Sequence, residues 1–448
     1  MADRDTDLAL DLPALARSGD VRGLRAALDP LDVPAVVDEL ERVDALTRAV
    51  AFRALPKGTA LAVFEDLDPA LQGELLQELR EEAVRDIVAD LDPDDRAGLL
   101  DELPAGVTAR LLSGLTADER RMTTDLLGYP PESAGRRMTP QVVALPTGLT
   151  VGSALAHVRR HGEDAETIYT LPVVGAGRHV EGVVSLRRLF VTDDDVPVAD
   201  VLSDPVVVRA DTDQEVAARV VRDHGLVAVP VVDAEDRLLG VFTVDDAMRV
   251  LEHEEDEDTA RAGGSEPLRK PYLATSVLGL VRSRILWLLV LIAAATLTVS
   301  VLDAFEDTLN EVVALALFVP LLIGTAGNTG AQAATTVVRA TAVGDVRFRD
   351  LPRVVGREAV TGLLLGTGLS LIGAVPASLV AGPEIALVLA LALVVVCTLA
   401  TTAGASTPMV AKRVGLDPAV VSAPFITTFV DATGLVVYFL IARAVLGL

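Results

Sequence analysis

The sequence predicts a multidomain membrane protein: an α-helical superhelical N-terminal domain, a duplicated α/β region and an α-helical domain of five membrane spans. Three observations predict it. First, 51% of the 448 residues are hydrophobic, yet the net charge is −25. The charge divides near residue 265, with 53 acidic and 27 basic residues before it and 11 and 12 after it. An acidic soluble part is thus joined to a nearly neutral membrane part. Second, a leucine recurs every twelve residues near the start. Third, one segment occurs twice in the middle. The acidity argues against nucleic acid as a partner and is compatible with cations, although most such carboxylates form only a solvated surface.

Residues 1–130 read as the helical domain. Leu55, Leu67, Leu79, Leu91, Leu103 and Leu115 mark the repeat, with Pro56, Pro69, Pro93 and Pro104 close behind. Proline suits a helix's first turn and aspartate caps it, so Leu-Pro and Leu-Asp-Pro punctuate short helices. Runs such as LLQELREEAVRDIVADL carry helical periodicity. Each helix buries its apolar face against its neighbours, as in a solenoid.

The duplication follows. LPVVGAGRHVEGVVSLRRLF is similar to VPVVDAEDRLLGVFTVDDAM, and Pro172 and Pro230 precede Gly182 and Gly240 by the same interval. β-Branched runs alternate with helical ones, which predicts two βαβ-like units, at 131–199 and 200–253. Their openings are Met138-Thr139-Pro140 and Leu202-Ser203-Asp204-Pro205.

An acidic connecting helix and linker are expected over 254–283, where LEHEEDEDTARAGGSEP ends in a Gly-Gly-Ser break. The membrane domain, 284–448, contains apolar segments near 285–302, 309–326, 358–380, 385–410 and 419–447. About 20 residues cross a bilayer, so five spans are expected. Pro320 and Gly324 are expected to interrupt the second. Arg339, Arg347, Arg349, Arg353 and Arg357 follow span two, and Lys412 and Arg413 follow span four. The other two loops carry Asp303, Glu306, Asp307 and Glu384. Basic loops stay inside, which puts the N-terminus in the cytoplasm and the C-terminus outside. MADRDTDLALDLP lacks the features of a signal peptide.

Little in the sequence points to catalysis. HExxH, GxxxxGK[ST], CxxC and GxSxG are missing, Cys397 is the single cysteine, and the five histidines read as scattered rather than as a metal pair. His224 and His253 lie in polar contexts. An enzyme is not expected.

The membrane domain says more. VPLLIGTAGNTGAQAATT (319–336) places Pro320, Gly324, Gly327, Asn328, Gly330 and Gln332 at bilayer depth. Irregular backbone there must be buried in protein or line a wet cavity. Carbonyl and amide oxygens suit hard cations. The alternative is tight helix packing through small residues. In TTFVDATGLVVYFLIA (427–442), Asp431 is the only charge between Asp417 and Arg443. A carboxylate at that depth costs about 2.5–3.5 kcal/mol on insertion scales, so it needs a partner or water. Either it serves an ion path, or it is a neutral acid bonded between helices.

At these residues the chain resembles the MgtE family of magnesium channels. The matches PLLIGTAGNTGAQ (320–332) and TTFVDATG (427–434) are the most specific, and the resemblance extends over the whole chain. It implies that the duplication is a pair of cystathionine-β-synthase (CBS) domains. It also implies a homodimer in the bilayer with one central pore, where Asp431 of each subunit holds hydrated Mg²⁺ and Pro320, Gly324, Gly327, Asn328 and Gln332 shape the path. Closure by intracellular Mg²⁺ is implied too, through Asp94, Asp213, Asp245, Asp246, Glu254, Glu257, Asp258 and Asp417. Gly98 and Arg249 stand where two further acids are expected, and Ala423 where an asparagine is. CBS pairs bind adenine nucleotides through a Gly-h-h-Ser/Thr-x-x-Asp end. The second copy has Gly240, Thr243 and Asp246, whereas the first has Ser185 with Arg188 at the acid's position and Leu226 where an aromatic is expected. This argues against ATP here.

The function expected is a Mg²⁺-selective, Mg²⁺-gated channel or transporter of the bacterial plasma (inner) membrane. The alternatives are a transporter for another divalent ion such as Co²⁺ or Mn²⁺, and a membrane-anchored CBS sensor that conducts nothing.

Overall fold

The computed structural model describes residues 11–163, 165–342, 344–415 and 423–448. The chain forms two compact units, Met1–Glu254 with Arg269–Ser276, and Glu255–Leu268 with Val277–Leu448.

In the first unit the leucine repeat sets the helices. Helices begin at Lys57, Pro69, Glu81, Pro93, Ala105 and Ala117, twelve residues apart. Leu67, Leu79, Leu91, Leu103 and Leu115 each end one in extended conformation. Leu67, Leu91 and Leu115 are buried in the same core as Leu75, Leu99 and Leu111, each worth about 2 kcal/mol of hydrophobic transfer.

A second repeat, unread in the sequence, reinforces the first. Arg48, Gln72, Arg96, Thr108 and Arg120 each donate to the carbonyl eight residues earlier: Leu40 (2.9 Å), Phe64 (2.6 Å), Val88 (2.7 Å), Leu100 (3.1 Å) and Leu112 (2.8 Å). Those carbonyls lie in the last turn of the preceding helix or close to its end, where intrahelical partners run out. Arg48 is 1% exposed and Arg96 3%, and Arg48 also meets Glu74 at 3.1 Å.

The duplicated segments form two three-stranded sheets with identical topology. The first is β1 (Leu145–Pro146), β2 (Thr170–Val174) and β3 (Val180–Ser185); the second is β4 (Val208–Arg209), β5 (Ala228–Val232) and β6 (Leu238–Thr243). β1 is parallel to β2 and β2 antiparallel to β3, as β4, β5 and β6 are to one another. Pro172 pairs with Val183 as Pro230 does with Val241, and the register slips at equivalent points. The opening segments are exchanged. Thr139 pairs with Val241 of the second copy (2.9 Å both ways), and Ser203 with Val183 of the first (2.9 and 3.1 Å). A Cβ on Gly240 would lie 2.3 Å from the Thr139 carbonyl oxygen, which is why the position accepts only glycine. Ala97 and Leu126 of the helical domain share a buried core with Met138, Val229 and Phe242 of the second sheet module. Arg136 fastens the junction, giving both Asp101 carboxylate oxygens a bond at 2.9 Å.

Among the described residues, the second unit contains five helices long and apolar enough to cross a membrane: Val277–Ala304, Val313–Ala342, Phe348–Ala381, Pro383–Arg413 and Pro424–Leu446. They are spans one to five below. The expected break in span two is absent. After a 3₁₀ stretch, Val313–Phe318, an unbroken α-helix covers Val319–Ala342. Pro320 is its second residue, where proline removes no needed bond. Two of its glycines, Gly327 and Gly330, pack against spans four and five: a Cβ on Gly404 of span four would lie 2.3 Å from the Gly330 carbonyl oxygen. Span two therefore lies later than 309–326, and span three begins early enough to include Arg353 and Arg357.

Candidate ion pathway and acidic cavity

Span two has two faces. Leu322, Ala326, Thr329, Gly330, Ala333 and Val337 are buried against the other spans. Pro320, Gly324, Asn328 and Gln332, each one turn after the last, are exposed on the single chain. A Cβ on Gly324 would meet no atom within 4 Å. Beside this stripe, Asp431 of span five crosses Gly327. A Cβ there would lie 3.2 Å from Asp431 Oδ1 and 3.4 Å from Thr427. Asp431 Oδ1 is buried without a hydrogen-bond partner among the described residues, so the bonded-acid alternative finds no donor for this oxygen there. Glycine at 327 allows the carboxylate to sit against the helix backbone. The sequence-derived residues Pro320, Gly324, Gly327, Asn328, Gln332 and Asp431 thus fall on adjoining surfaces. Asp417 lies outside the described residues.

The expected regulatory acids do not form one group. Asp94, Asp245 and Asp246 line a cavity of 190 Å³, together with Glu65, Asp66, Asp92, Asp95, Glu166 and Arg249. Burial, with like charge close by, pushes Glu65, Asp95 and Glu166 up to about 7. Burial also raises Asp92 and, with Asp246 beside it, Asp94. Carboxylate oxygens of Glu65, Asp92 and Asp95 lie within 4.8 Å of one another, close enough to hold one cation. Asp94 Oδ1 is buried without a hydrogen-bond partner among the described residues. Five of these acids were missed in the sequence. The DPDD run at 92–95 was a readable signal; Glu65, Asp66 and Glu166 gave none, because only folding brings them there.

Asp213 lies elsewhere, capping the helix Gln214–His224 through the Glu215 (2.9 Å) and Val216 (3.2 Å) amides. Glu254 accepts from Gln214 Nε2 at 2.7 Å, and Gln214 Oε1 accepts from Arg137 at 3.0 Å. Glu257 pairs with Arg261 on the helix it shares with Asp258.

The residues considered for a nucleotide separate. Ser185 and Arg188 line a cleft of 660 Å³ between the two sheet modules, with Arg187, Asp200, Asp204 and Leu226. Thr243 is buried and donates to Asp246 at 2.8 Å, and Asp246 faces the acidic cavity. The reading of the histidines is corrected. His157 and His161 are one turn apart on the helix Val151–His161, with ring centroids 4.3 Å apart. Among the described residues no third metal-ligating side chain joins them.

Comparison with known proteins covers both units. Residues 319–441 match the family model described as MgtE, divalent cation transporter; 31–132 match the MgtE intracellular N domain; 134–193 and 198–253 each match the CBS domain. The chain is 39% identical over 446 residues to the magnesium transporter MgtE of Thermus thermophilus, covering 98% of each. It is 38% identical over 327 residues to that of Enterococcus faecalis, covering 71% of this chain and 70% of the relative. A solved structure, the cytosolic domain of the Mg²⁺ channel MgtE in complex with ATP, matches with a TM-score of 0.51 and 36% identity, covering 54% of this chain and 100% of that one. With these matches along its length and 39% identity across 98% of a magnesium transporter MgtE, the chain belongs to the MgtE family.

Proposed function

We propose that the chain conducts Mg²⁺ across the bacterial plasma membrane, as a homodimer whose pore is formed by spans two and five of both subunits. The observation that carries this is the exposed stripe of Pro320, Gly324, Asn328 and Gln332, two of them amides, beside an Asp431 oxygen without a partner among the described residues. Facing lipid, amide side chains and an unpaired carboxylate would be strongly unfavourable. Facing a second copy across water, they would present oxygens to a hydrated cation. Mg²⁺ usually keeps several of its waters and is bound by few carboxylates, which suits a pair of Asp431 side chains. The basic segments around spans two to four orient the N-terminus inward.

Closure by intracellular Mg²⁺ is part of the same reading. Asp94, Asp245 and Asp246, with Glu65, Asp92 and Asp95, repel one another until a cation bridges them, so the ion favours the compact state. Asp213, Glu254, Glu257, Asp258 and Asp417 complete the proposed acidic set. ATP forms no part of the gate proposed here, because Arg188 replaces the acid expected at the ribose. A titration with labelled ATP reaching micromolar affinity would revise that.

The test is ion flux into proteoliposomes from the intact chain, with chelator on the side of the cytosolic unit and Mg²⁺, Co²⁺ or Mn²⁺ outside. Influx of Mg²⁺ in preference to the others supports the reading. Preference for Co²⁺ or Mn²⁺ would make the chain a transporter of that ion, and no influx of any would favour the sensor. Limited proteolysis reads the gate: millimolar Mg²⁺ should protect 254–265, and equal cleavage with Mg²⁺ and with chelator would count against it.

A further inference from the structure

The acidic cavity already contains a cation. Arg249 sits among its carboxylates, 2.9 Å from Asp66, 3.6 Å from Asp95 and 3.7 Å from Asp246. Among the described residues, eight carboxyl groups and one guanidinium line the space. Asp95 has two roles in it. It pairs with Arg249, and it is one of three acids whose oxygens converge closely enough to hold a metal. The Asp94 oxygen without a partner among the described residues is a buried acceptor that the arginine does not reach.

We propose that Arg249 is a resident cation of this cavity and competes with the regulatory divalent ion for Asp95, raising the Mg²⁺ concentration at which the cavity fills. The proposal rests on reading the cavity as the Mg²⁺ sensor. Its physical basis is Coulombic. A guanidinium is always charged and binds carboxylates in a fixed fork, so it neutralises part of the field that would draw in Mg²⁺. Without Mg²⁺ it also ties the helix Val244–Ala262 to Asp66 at the end of the helix Lys57–Asp66, so the unit stays partly closed. The consequence is a sensor of lower affinity and narrower range than an all-acid cavity would give.

The experiment uses the full chain in detergent, as wild type and as Arg249→Gln, Arg249→Lys, Asp95→Asn and the Arg249→Gln/Asp95→Asn pair. Mn²⁺ binding is read by the loss of its free-ion EPR signal, and closure by Mg²⁺-dependent protection from protease. Arg249→Gln should lower both midpoints about tenfold, the effect of a unit charge some 6 Å from a divalent ion in a water-like dielectric. Arg249→Lys should stay near wild type, and in the Asp95→Asn background the shift should shrink, because the competition for Asp95 is gone and only the through-space repulsion remains. Equal or weaker Mn²⁺ binding in Arg249→Gln overturns the proposal, as does a full shift that persists with Asp95→Asn. If protection ignores metal in every variant while Mn²⁺ binding still tightens in Arg249→Gln, the competition stands and the sensor reading falls.

Discussion

Three glycines in the membrane unit should respond to a single added methyl in graded fashion, because the space at each differs. At Gly324 a Cβ would meet nothing within 4 Å. Gly324→Ala should leave the fold intact or stabilise it by up to about 1 kcal/mol, since alanine is the better helix former. At Gly327 the Cβ would lie 3.2 Å from Asp431 Oδ1, so a shift of a few tenths of an ångström relieves it, at about 1 kcal/mol. At Gly404 the obstacle is backbone, the Gly330 carbonyl oxygen at 2.3 Å. Spans two and four would have to separate by about 1 Å, at the upper end of overpacking costs, about 3 kcal/mol. Thermal unfolding in detergent, followed by size-exclusion, ranks the three, and Mg²⁺ flux on the same preparations separates packing from conduction. The expected order of stability is Gly324→Ala, Gly327→Ala, Gly404→Ala, with flux reduced in the first despite its stability because its methyl enters the stripe. A Gly404→Ala protein as stable as wild type would refute the close crossing of spans two and four. Undiminished flux in Gly324→Ala would place the path elsewhere.

Two further predictions concern the cytosolic unit. Arg96→Met removes the donor that serves the Val88 (2.7 Å) and Ala89 (3.0 Å) carbonyls. It should cost about 3 kcal/mol in chemical unfolding, and a loss under about 1 kcal/mol would show that the carbonyls find other partners. The second is pH. Glu65, Asp95 and Glu166 titrate near 7 when folded but near 4 when unfolded. Between those values the folded state binds more protons, so stability falls as pH rises through the window and the full penalty is present above it. In chelator, the unit should therefore melt higher at about pH 5.5 than at about pH 8. Millimolar Mg²⁺ should narrow the gap, because metal and protons compete for the same oxygens. A melting point that rises with pH in chelator would contradict this.

Much of the architecture is written locally in the chain. The leucine interval sets the helix interval because each leucine leaves the helix at the same step. The duplication shows in register because Pro172 and Pro230, and Gly182 and Gly240, hold the same places in their sheets. What was not legible depends on partners distant in sequence. The donor repeat at 48, 72, 96, 108 and 120 changes residue type from arginine to glutamine to threonine, so no letter recurs. Gly324 to Gln332 reads as a helix breaker until Gly404 and Asp431 are seen supporting that helix. The acidic cavity draws on residues from 65 to 246, and Arg249 reads as a lost acid until its three carboxylate partners are placed around it.

The central claim is that Asp431 belongs to the ion path. Mg²⁺ influx into proteoliposomes should be compared between the intact chain and Asp431→Asn, which preserves shape and removes charge, with chelator on the cytosolic side to relieve the gate. Strong influx is expected in the first and a loss of about tenfold or more in the second. Equal influx in both, from equally folded protein, would show that the carboxylate is structural and that the pore lies elsewhere.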